Sequence, residues 1–412
     1  MKLLVFGGSG KMGSAVAWDL VQQADVEQVG LLDRSKQGLQ QVDRWLGSSK
    51  LSLHMVNLNE RQAVIDLMRA YDVGVVTLPN RRLSYLVADY AIEAGLHLVD
   101  ILEEYHRRPD AYEIEGLQIP AGMSLEEYGE RLHIRFAEKA LTFLDGMGFA
   151  PGLSNLALGS GIDQLDVART AIARVGGIPD KPYADHHPLK YMITWAFSHV
   201  LREYMVDVNV MEAGRVVEVP ALSDHESFQF SACGVEGEVL ECAITPGMPS
   251  YLYTRKELET FSEKTIRWPG HFHAIDTLKE CGLLDLEPVE VDGRRVVPRE
   301  VLLSLIQPRL LPAEGETDVC VMWTSAEGTK DGRPARVDSY LWDRADIANG
   351  ISSMARVTGF SAAIGALMLG RGQVEGKGIV APEDGIRKDG YLRFREELAL
   401  RDIHIEERVS YS

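Results

Sequence analysis

Lys2-Leu3-Leu4-Val5-Phe6-Gly7-Gly8-Ser9-Gly10-Lys11-Met12-Gly13 is the stretch on which the reading of this chain turns. Its apolar beginning reads as a short buried strand and its glycines as a turn. The apolar-periodic run from Ser14 to Val21 reads as a helix. In the spacing G-x-G-x-x-G, Gly8 is expected to permit the tight turn, Gly10 to let the backbone approach a pyrophosphate, and Gly13 to let the helix pack closely on the strand. Ser9, Lys11 and Met12 complete the cradle. The helix N-terminus adds free N–H groups and a partial positive charge facing the phosphates. A second strand, Val26 to Leu32, ends in Asp33, about twenty residues beyond the last glycine of the motif, where an acid can accept hydrogen bonds from an adenosine ribose. Strand, glycine turn, helix and acid together predict a dinucleotide site that prefers NAD. Arg34, directly after the acid, is the residue that could admit NADP instead.

Outward from that site the chain keeps alternating. A polar helix (37–46) is followed by a strand (51–56), a helix (61–68), an apolar strand (73–78), a helix (83–94) closed by Gly95, and a strand ending in Asp100. This is the pattern of a doubly wound parallel sheet, in which ligands bind outside the carboxyl ends of the strands. Asn57, Pro79 and Asp100 are therefore expected to line the cofactor crevice. The charged stretch 103–130 interrupts the alternation and reads as an inserted loop, with a helix over 125–140 after it.

Beyond Gly152 the signals become hairpins. Strand-like segments flank Glu212-Ala213-Gly214-Arg215, Asp292-Gly293 and Lys330-Asp331-Gly332-Arg333, which implies a second α+β domain with a mixed or antiparallel sheet. A small-residue helix, 352–369, is expected to dock back on the first domain. The expected division is a Rossmann domain over 1–150 completed by the segment 346–380, a substrate-binding domain over 151–345, and a tail over 381–412.

The sequence has 412 residues, 45% hydrophobic and 25% charged, with a formal net charge of -18. That balance argues against nucleic acid or an anionic membrane as partner. Cys233, Cys242, Cys281 and Cys320 show no zinc-type spacing, so no metal is expected. Neither a signal peptide nor an apolar run of the ~20 residues needed to span a bilayer is evident, and a cytoplasmic setting is expected.

Several further stretches resemble the saccharopine dehydrogenase-like family, most closely its lysine 6-dehydrogenase branch. They are Phe149-Ala150-Pro151-Gly152-Leu153, Val175-Gly176-Gly177-Ile178-Pro179, Pro188-Leu189-Lys190-Tyr191, Lys264-Thr265-Ile266-Arg267-Trp268-Pro269-Gly270-His271 and Met354-Ala355-Arg356-Val357-Thr358-Gly359. The resemblance implies a nicotinamide domain, a second domain that pairs subunits into at least a homodimer, and oxidation or reduction at a carbon bearing nitrogen. Ala150 and Val175 depart from the saccharopine reductase pattern, and Ser198 stands where those enzymes carry an arginine for a substrate carboxylate.

Oxidising an amine by hydride transfer requires a neutral nitrogen, so a group must take its proton. His271 is the first candidate for that role; it could equally position substrate or bond a backbone carbonyl. Lys190 and Tyr191 come next, as proton relays or carboxylate ligands, with a core aromatic as the competing reading of Tyr191. Arg267 could hold a substrate carboxylate. Glu103 and Glu104, after the fifth strand, suit a cationic substrate such as lysine, unless they simply face water. The alternatives are a saccharopine or other opine-type reductase, and a dinucleotide-sensing scaffold without turnover.

Overall fold

Leu3, Leu4, Val5 and Phe6 are fully buried, as in a strand of a parallel sheet covered on both faces. In the computed structural model, which describes residues 1–109 and 117–411, they form β1 (Lys2–Phe6) at the centre of a parallel sheet. Two units are resolved by their internal contacts. The first comprises Met1–Asp163, Gly247–Lys256 and Ala355–Ile403; the second comprises the remaining described residues.

In the first unit the chain runs α1 (Lys11–Val21), β2 (Gln28–Asp33), α2 (Lys36–Leu46), β3 (Leu51–Met55), α3 (Arg61–Met68), β4 (Val73–Val76), α4 (Arg81–Ala94), β5 (His97–Asp100), α5 (Leu125–Glu138), β6 (Thr142–Leu144) and α6 (Leu153–Asp163). The sheet has seven strands, all parallel. Its order starts with the late strand β17 (Gly378–Val380) and continues β6-β5-β4-β1-β2-β3. The order reverses at β1, and that switch point is where a dinucleotide is bound in such sheets.

The long helix α11 (Ser353–Gly370) packs on α1: a Cβ on Gly359 would lie 2.9 Å from that of Ala15, and Trp18 stacks on Phe360. Its length and composition would suffice to cross a bilayer, but 94% of it is buried inside the protein. The expected tail is not a separate piece. Short α12 (Pro382–Gly385) and α13 (Asp389–Ala399) belong to the first unit, where Arg401 holds buried Asp19 at 2.6 and 2.9 Å. The contact division falls after Asp163, so α6 and the short helix α8 (Tyr251–Thr254) also lie in this unit. Tyr251 donates to the Asn155 carbonyl at 2.7 Å and Thr254 to Glu383 at 2.7 Å, which explains why that later segment belongs here. The interrupting stretch ends in α5, whose N-terminus carries a capping box of Ser124 and Glu127; its residues 110–116 lie outside the described ones.

The second unit holds β7 (Val167–Pro179), α7 (Phe197–Glu203), β8 (Asp207–Glu212), β9 (Arg215–Pro220), β10 (Glu226–Ala232), β11 (Val235–Ile244), β12 (Thr260–Arg267), α9 (His271–Glu280), a small separate hairpin of β13 (Val289–Val291) and β14 (Arg294–Val296), α10 (Pro298–Leu310), β15 (Asp318–Lys330), β16 (Arg333–Arg344) and β18 (Glu406–Tyr411). Its nine-stranded sheet runs β10-β11-β12-β7-β15-β16-β18, with β8 and β9 joined to it at β12. The hairpins expected from Ala213-Gly214 and Asp331-Gly332 form with positive φ at both central residues, the turn that matches strand twist. The sheet is mixed and not wholly antiparallel, because β7 and β12, far apart in sequence, pair in parallel. It curls until its end strands meet: the Cys233 N–H donates to Glu406 at 2.7 Å and Arg408 to the Ser231 carbonyl at 3.0 Å. Helices α7, α9 and α10 bury Phe197, Leu201, Phe272, Ile275 and Leu302 with Ala243 of β11.

Candidate active site

The glycine loop joins β1 to α1 as the sequence implies, with one redistribution of roles. The left-handed residue of the turn is Gly7 (φ +81°), not Gly8, whose Cβ would instead strike Leu31. A Cβ on Gly13 would come within 2.3 Å of the Gly7 carbonyl oxygen, so close helix–strand packing does depend on it. At Gly10 an added Cβ meets only the Gly7 carbonyl, at 3.3 Å, so the space in front of this residue is kept clear of protein atoms. No side chain caps α1 at Gly10, which leaves the first-turn N–H groups to an anion. Asp33, at the end of β2, accepts from the Ser9 N–H at 3.2 Å and the Ser35 N–H at 3.0 Å, so it orders the loop besides offering lone pairs to a ribose. Arg34 beside it is exposed. This arrangement fits an NAD(P) dinucleotide, with Ser9 to Gly13 around the pyrophosphate and Lys11 exposed at its edge.

The strand ends differ more from expectation. Asn57 is exposed and its side chain accepts from the Asn59 N–H at 3.0 Å, so it shapes the turn ahead of α3. Pro79 is exposed after β4, and the next residue, Asn80, caps α4. Asp100 lines no open crevice. It is fully buried, accepting from Ser84 at 2.9 Å and the Gly146 N–H at 2.7 Å, and its Oδ2 lies 3.8 Å from His106 Nε2. On the far side of that imidazole, Asp145 accepts from the His106 backbone N–H and faces Nδ1, both at 2.7 Å. Burial, reinforced by the nearby Asp145 charge, pushes the Asp100 carboxyl up to about 7, and burial also lifts Asp145 and lowers His106. Glu104 is committed as well: buried Arg81 donates to it at 2.6 Å and Tyr85 at 2.8 Å. It is therefore not an open receptor for a cationic substrate, whereas Glu103 is half-buried, with its carbonyl held by Arg81.

In the second unit, polar side chains from three separate stretches of sequence come together. His271 does not end a strand; it is the first residue of α9 and is fully buried. Its Nδ1 lies 2.8 Å from the Leu189 carbonyl, which can only accept, so Nδ1 carries the hydrogen and Nε2 accepts from the Tyr204 hydroxyl at 3.1 Å. Tyr204 in turn accepts from Arg267 Nε at 3.0 Å. Burial, with the Arg267 charge second, drives His271 down to about 3. A neutral imidazole with both nitrogens engaged is a brace for Tyr204 and Arg267, and the third of the readings of His271 is the one the geometry supports.

Arg267 is 4% exposed. Its NH1 donates to its neighbour's carbonyl (Ile266) and its plane lies over the Tyr191 ring, 5.2 Å to the centroid. Among the described residues no carboxylate lies within salt-bridge distance of it. Tyr191 and Thr194 sit close by with buried hydroxyls that make no hydrogen bond of normal geometry to any described residue. A guanidinium without a carboxylate within salt-bridge distance and two buried hydroxyls in one place suit an anionic guest. Lys190 points elsewhere, to exposed Asp185 at 3.5 Å, and Ser198 is exposed on α7.

Tyr204, Thr194, His106 and Asp145 escape a reading of the sequence. His106 sits in the run Glu103-Glu104-Tyr105-His106-Arg107-Arg108, whose charge resembles a solvated loop, and nothing local shows that its histidine is buried.

Two models of known protein families match the chain: the saccharopine dehydrogenase NADP binding domain over residues 3–123 and the saccharopine dehydrogenase C-terminal domain over 148–403. A carboxyaminopropylagmatine dehydrogenase from Synechocystis sp. is 22% identical, over 97% of this chain and 96% of its own length. A carboxynorspermidine synthase from Vibrio alginolyticus is 23% identical over the same shares. Among solved structures, apo saccharopine dehydrogenase (L-Glu forming) from Saccharomyces cerevisiae has the same fold, with a TM-score of 0.77 over 99% of both chains at 18% identity.

Proposed function

Because the chain belongs to the saccharopine dehydrogenase family of NAD(P)-dependent oxidoreductases acting on amine-bearing substrates, we propose that its own substrate is a secondary amine that also carries a carboxylate. The observation that carries this reading is Arg267, a buried guanidinium with no carboxylate of the described residues within salt-bridge distance, although the Glu203 charge acts on it from further away. A buried charge without a counter-ion is costly, and a substrate carboxylate would remove that cost. The names of both full-length relatives denote carboxylated amines derived from polyamine-type chains, which agrees with such a guest.

The bound dinucleotide supplies or accepts the hydride at the carbon next to nitrogen. The chain's own residues do the rest. Arg267 takes the carboxylate, Tyr204 and His271 hold the guanidinium in one orientation, and the Tyr191 and Thr194 hydroxyls complete the anion's hydrogen bonds. His271, neutral throughout the working pH range, leaves the amine proton to another group or to water. Asp33 favours NAD over NADP, since a carboxylate repels a 2′-phosphate.

Lysine is the second reading, since it too carries a carboxylate and an amine. The commitment of Glu104 to Arg81 and Tyr85 weakens it, because a two-glutamate receptor for the ammonium group is then reduced to Glu103. The test is the absorbance of reduced nicotinamide with NAD as oxidant and carboxynorspermidine, saccharopine or lysine as donor. Turnover of a carboxylated secondary amine is expected. Turnover of lysine alone would favour the second reading, and no turnover with any of them would refute both.

A further inference from the structure

Asp100, His106 and Asp145 lie at the carboxyl ends of β5 and β6, fully buried. In a sheet whose order reverses at β1, with the adenosine end fixed over β2 by Asp33, the nicotinamide half falls on the β4–β6 side. The cluster therefore lies on the side of the sheet where that half would be held. Asp145 uses both oxygens on His106, leaving Nε2 with no hydrogen-bond partner and facing Asp100 Oδ2 at 3.8 Å. Two carboxylates enclosing one imidazole in a dry interior cannot all carry their full charge. With Asp100 protonated the cluster carries one net negative charge, and loss of that proton leaves two.

We propose that this cluster is a buried charge store that biases the dinucleotide site toward the oxidised cofactor, more strongly once Asp100 has given up its proton. The oxidised nicotinamide ring is a cation and the reduced ring is neutral, so a fixed negative charge beneath it discriminates between them. Burial of all three groups keeps their field from being screened by solvent at its source. Other groups around His106 set the background. Arg81 is paired with Glu104, Tyr85 of α4 lies 4.4 Å from the imidazole, and Phe143 of β6 lies 5.0 Å away. The charges of Glu383 and Arg81 act on Asp145, and Asp145 in turn acts on Tyr105. Burial holds both tyrosines protonated, so they do not titrate in the same range. The proton in question is the one that burial keeps on the cluster up to about pH 7.

The ratio of dissociation constants, NADH over NAD, isolates this effect, because whatever acts on the adenosine end is common to both forms and cancels. Measured by nicotinamide and tryptophan fluorescence between pH 6 and 8.5, the ratio is expected to rise several-fold in the wild type, with its midpoint near neutrality. His106→Asn keeps a polar atom where Nδ1 meets Asp145 but removes Nε2. Asp100→Asn keeps an acceptor for the Gly146 N–H but cannot ionise. Asp100→Asn should give a ratio independent of pH, whereas His106→Asn, which leaves Asp100 ionisable but without the imidazole that lowers it, should move the midpoint to higher pH; the melting temperature checks that both are folded. A flat ratio in the wild type overturns the proposal even if a variant fails to fold, and so does an undiminished rise in folded Asp100→Asn. Loss of amine oxidation does not enter this readout, so the outcome is separate from that of the substrate reading.

Discussion

His106 of the first unit and His271 of the second are both fully buried, and each sets Nδ1 against an oxygen, at 2.7 and 2.8 Å. Their neighbours differ in sign. His106 lies between two carboxylates, which retain a proton in the cluster, while His271 lies beside a guanidinium, which helps to expel one. Burial alone would make the two alike. The charge placed next to each decides that one belongs to a titrating cluster and the other is a brace that stays neutral until pH falls toward about 3.

Removing the charge beside His271 gives the largest expected effect. Arg267→Met should lower kcat/KM for the amine by two to three orders of magnitude, mainly through KM, while the NAD dissociation constant is unchanged. Arg267→Lys should recover part of the loss, since it keeps the charge but not the fork. Steady-state kinetics and a cofactor titration check both. His271→Leu comes next: it strands the Leu189 carbonyl and the Tyr204 hydroxyl, at a cost of about 2–4 kcal/mol in denaturant unfolding.

The two sites should also respond to pH in opposite directions. The folded pKa of His271 lies below its unfolded value of 6.5, so its contribution to stability is complete above pH 6.5 and is lost as pH falls toward 3. Asp100 is raised from 3.8 to about 7. Its folded form keeps a proton that the unfolded chain releases, so that contribution is complete below pH 3.8 and is lost as pH rises through 7. Calorimetric scans across pH should show His271→Leu losing the acid-side decline and Asp100→Asn losing the alkaline-side one, each on the order of a few kcal/mol. The smallest effect is at the adenosine end. Asp33→Asn should shift the kcat/KM preference from NAD toward NADP by roughly tenfold, an effect of about 1–2 kcal/mol.

The parallel half of the fold is legible because β1, β4 and the glycine loop carry local signals: apolar runs buried on both faces and a turn that only glycine fits. β6 and β17, three residues each, are too short for any period, and only their neighbours in the sheet make them strands. The parallel pairing of β7 with β12 is equally silent, since a hairpin announces itself by its turn and a crossover does not. At the candidate site Arg267 and His271 are found through the motif that holds them. Tyr204 and Thr194 join them only through packing, and Asp100, readable as a strand end, acquires its meaning from His106 and Asp145, which no spacing connects to it.

The most direct test compares carboxynorspermidine with norspermidine, which lacks the carboxylate, as hydride donors to NAD in the wild type and in Arg267→Met. The account predicts that the wild type prefers the carboxylated amine by at least two orders of magnitude in kcat/KM and that the variant loses most of that preference. Equal kcat/KM values for the two amines in the wild type, or an undiminished preference in the variant, would contradict it.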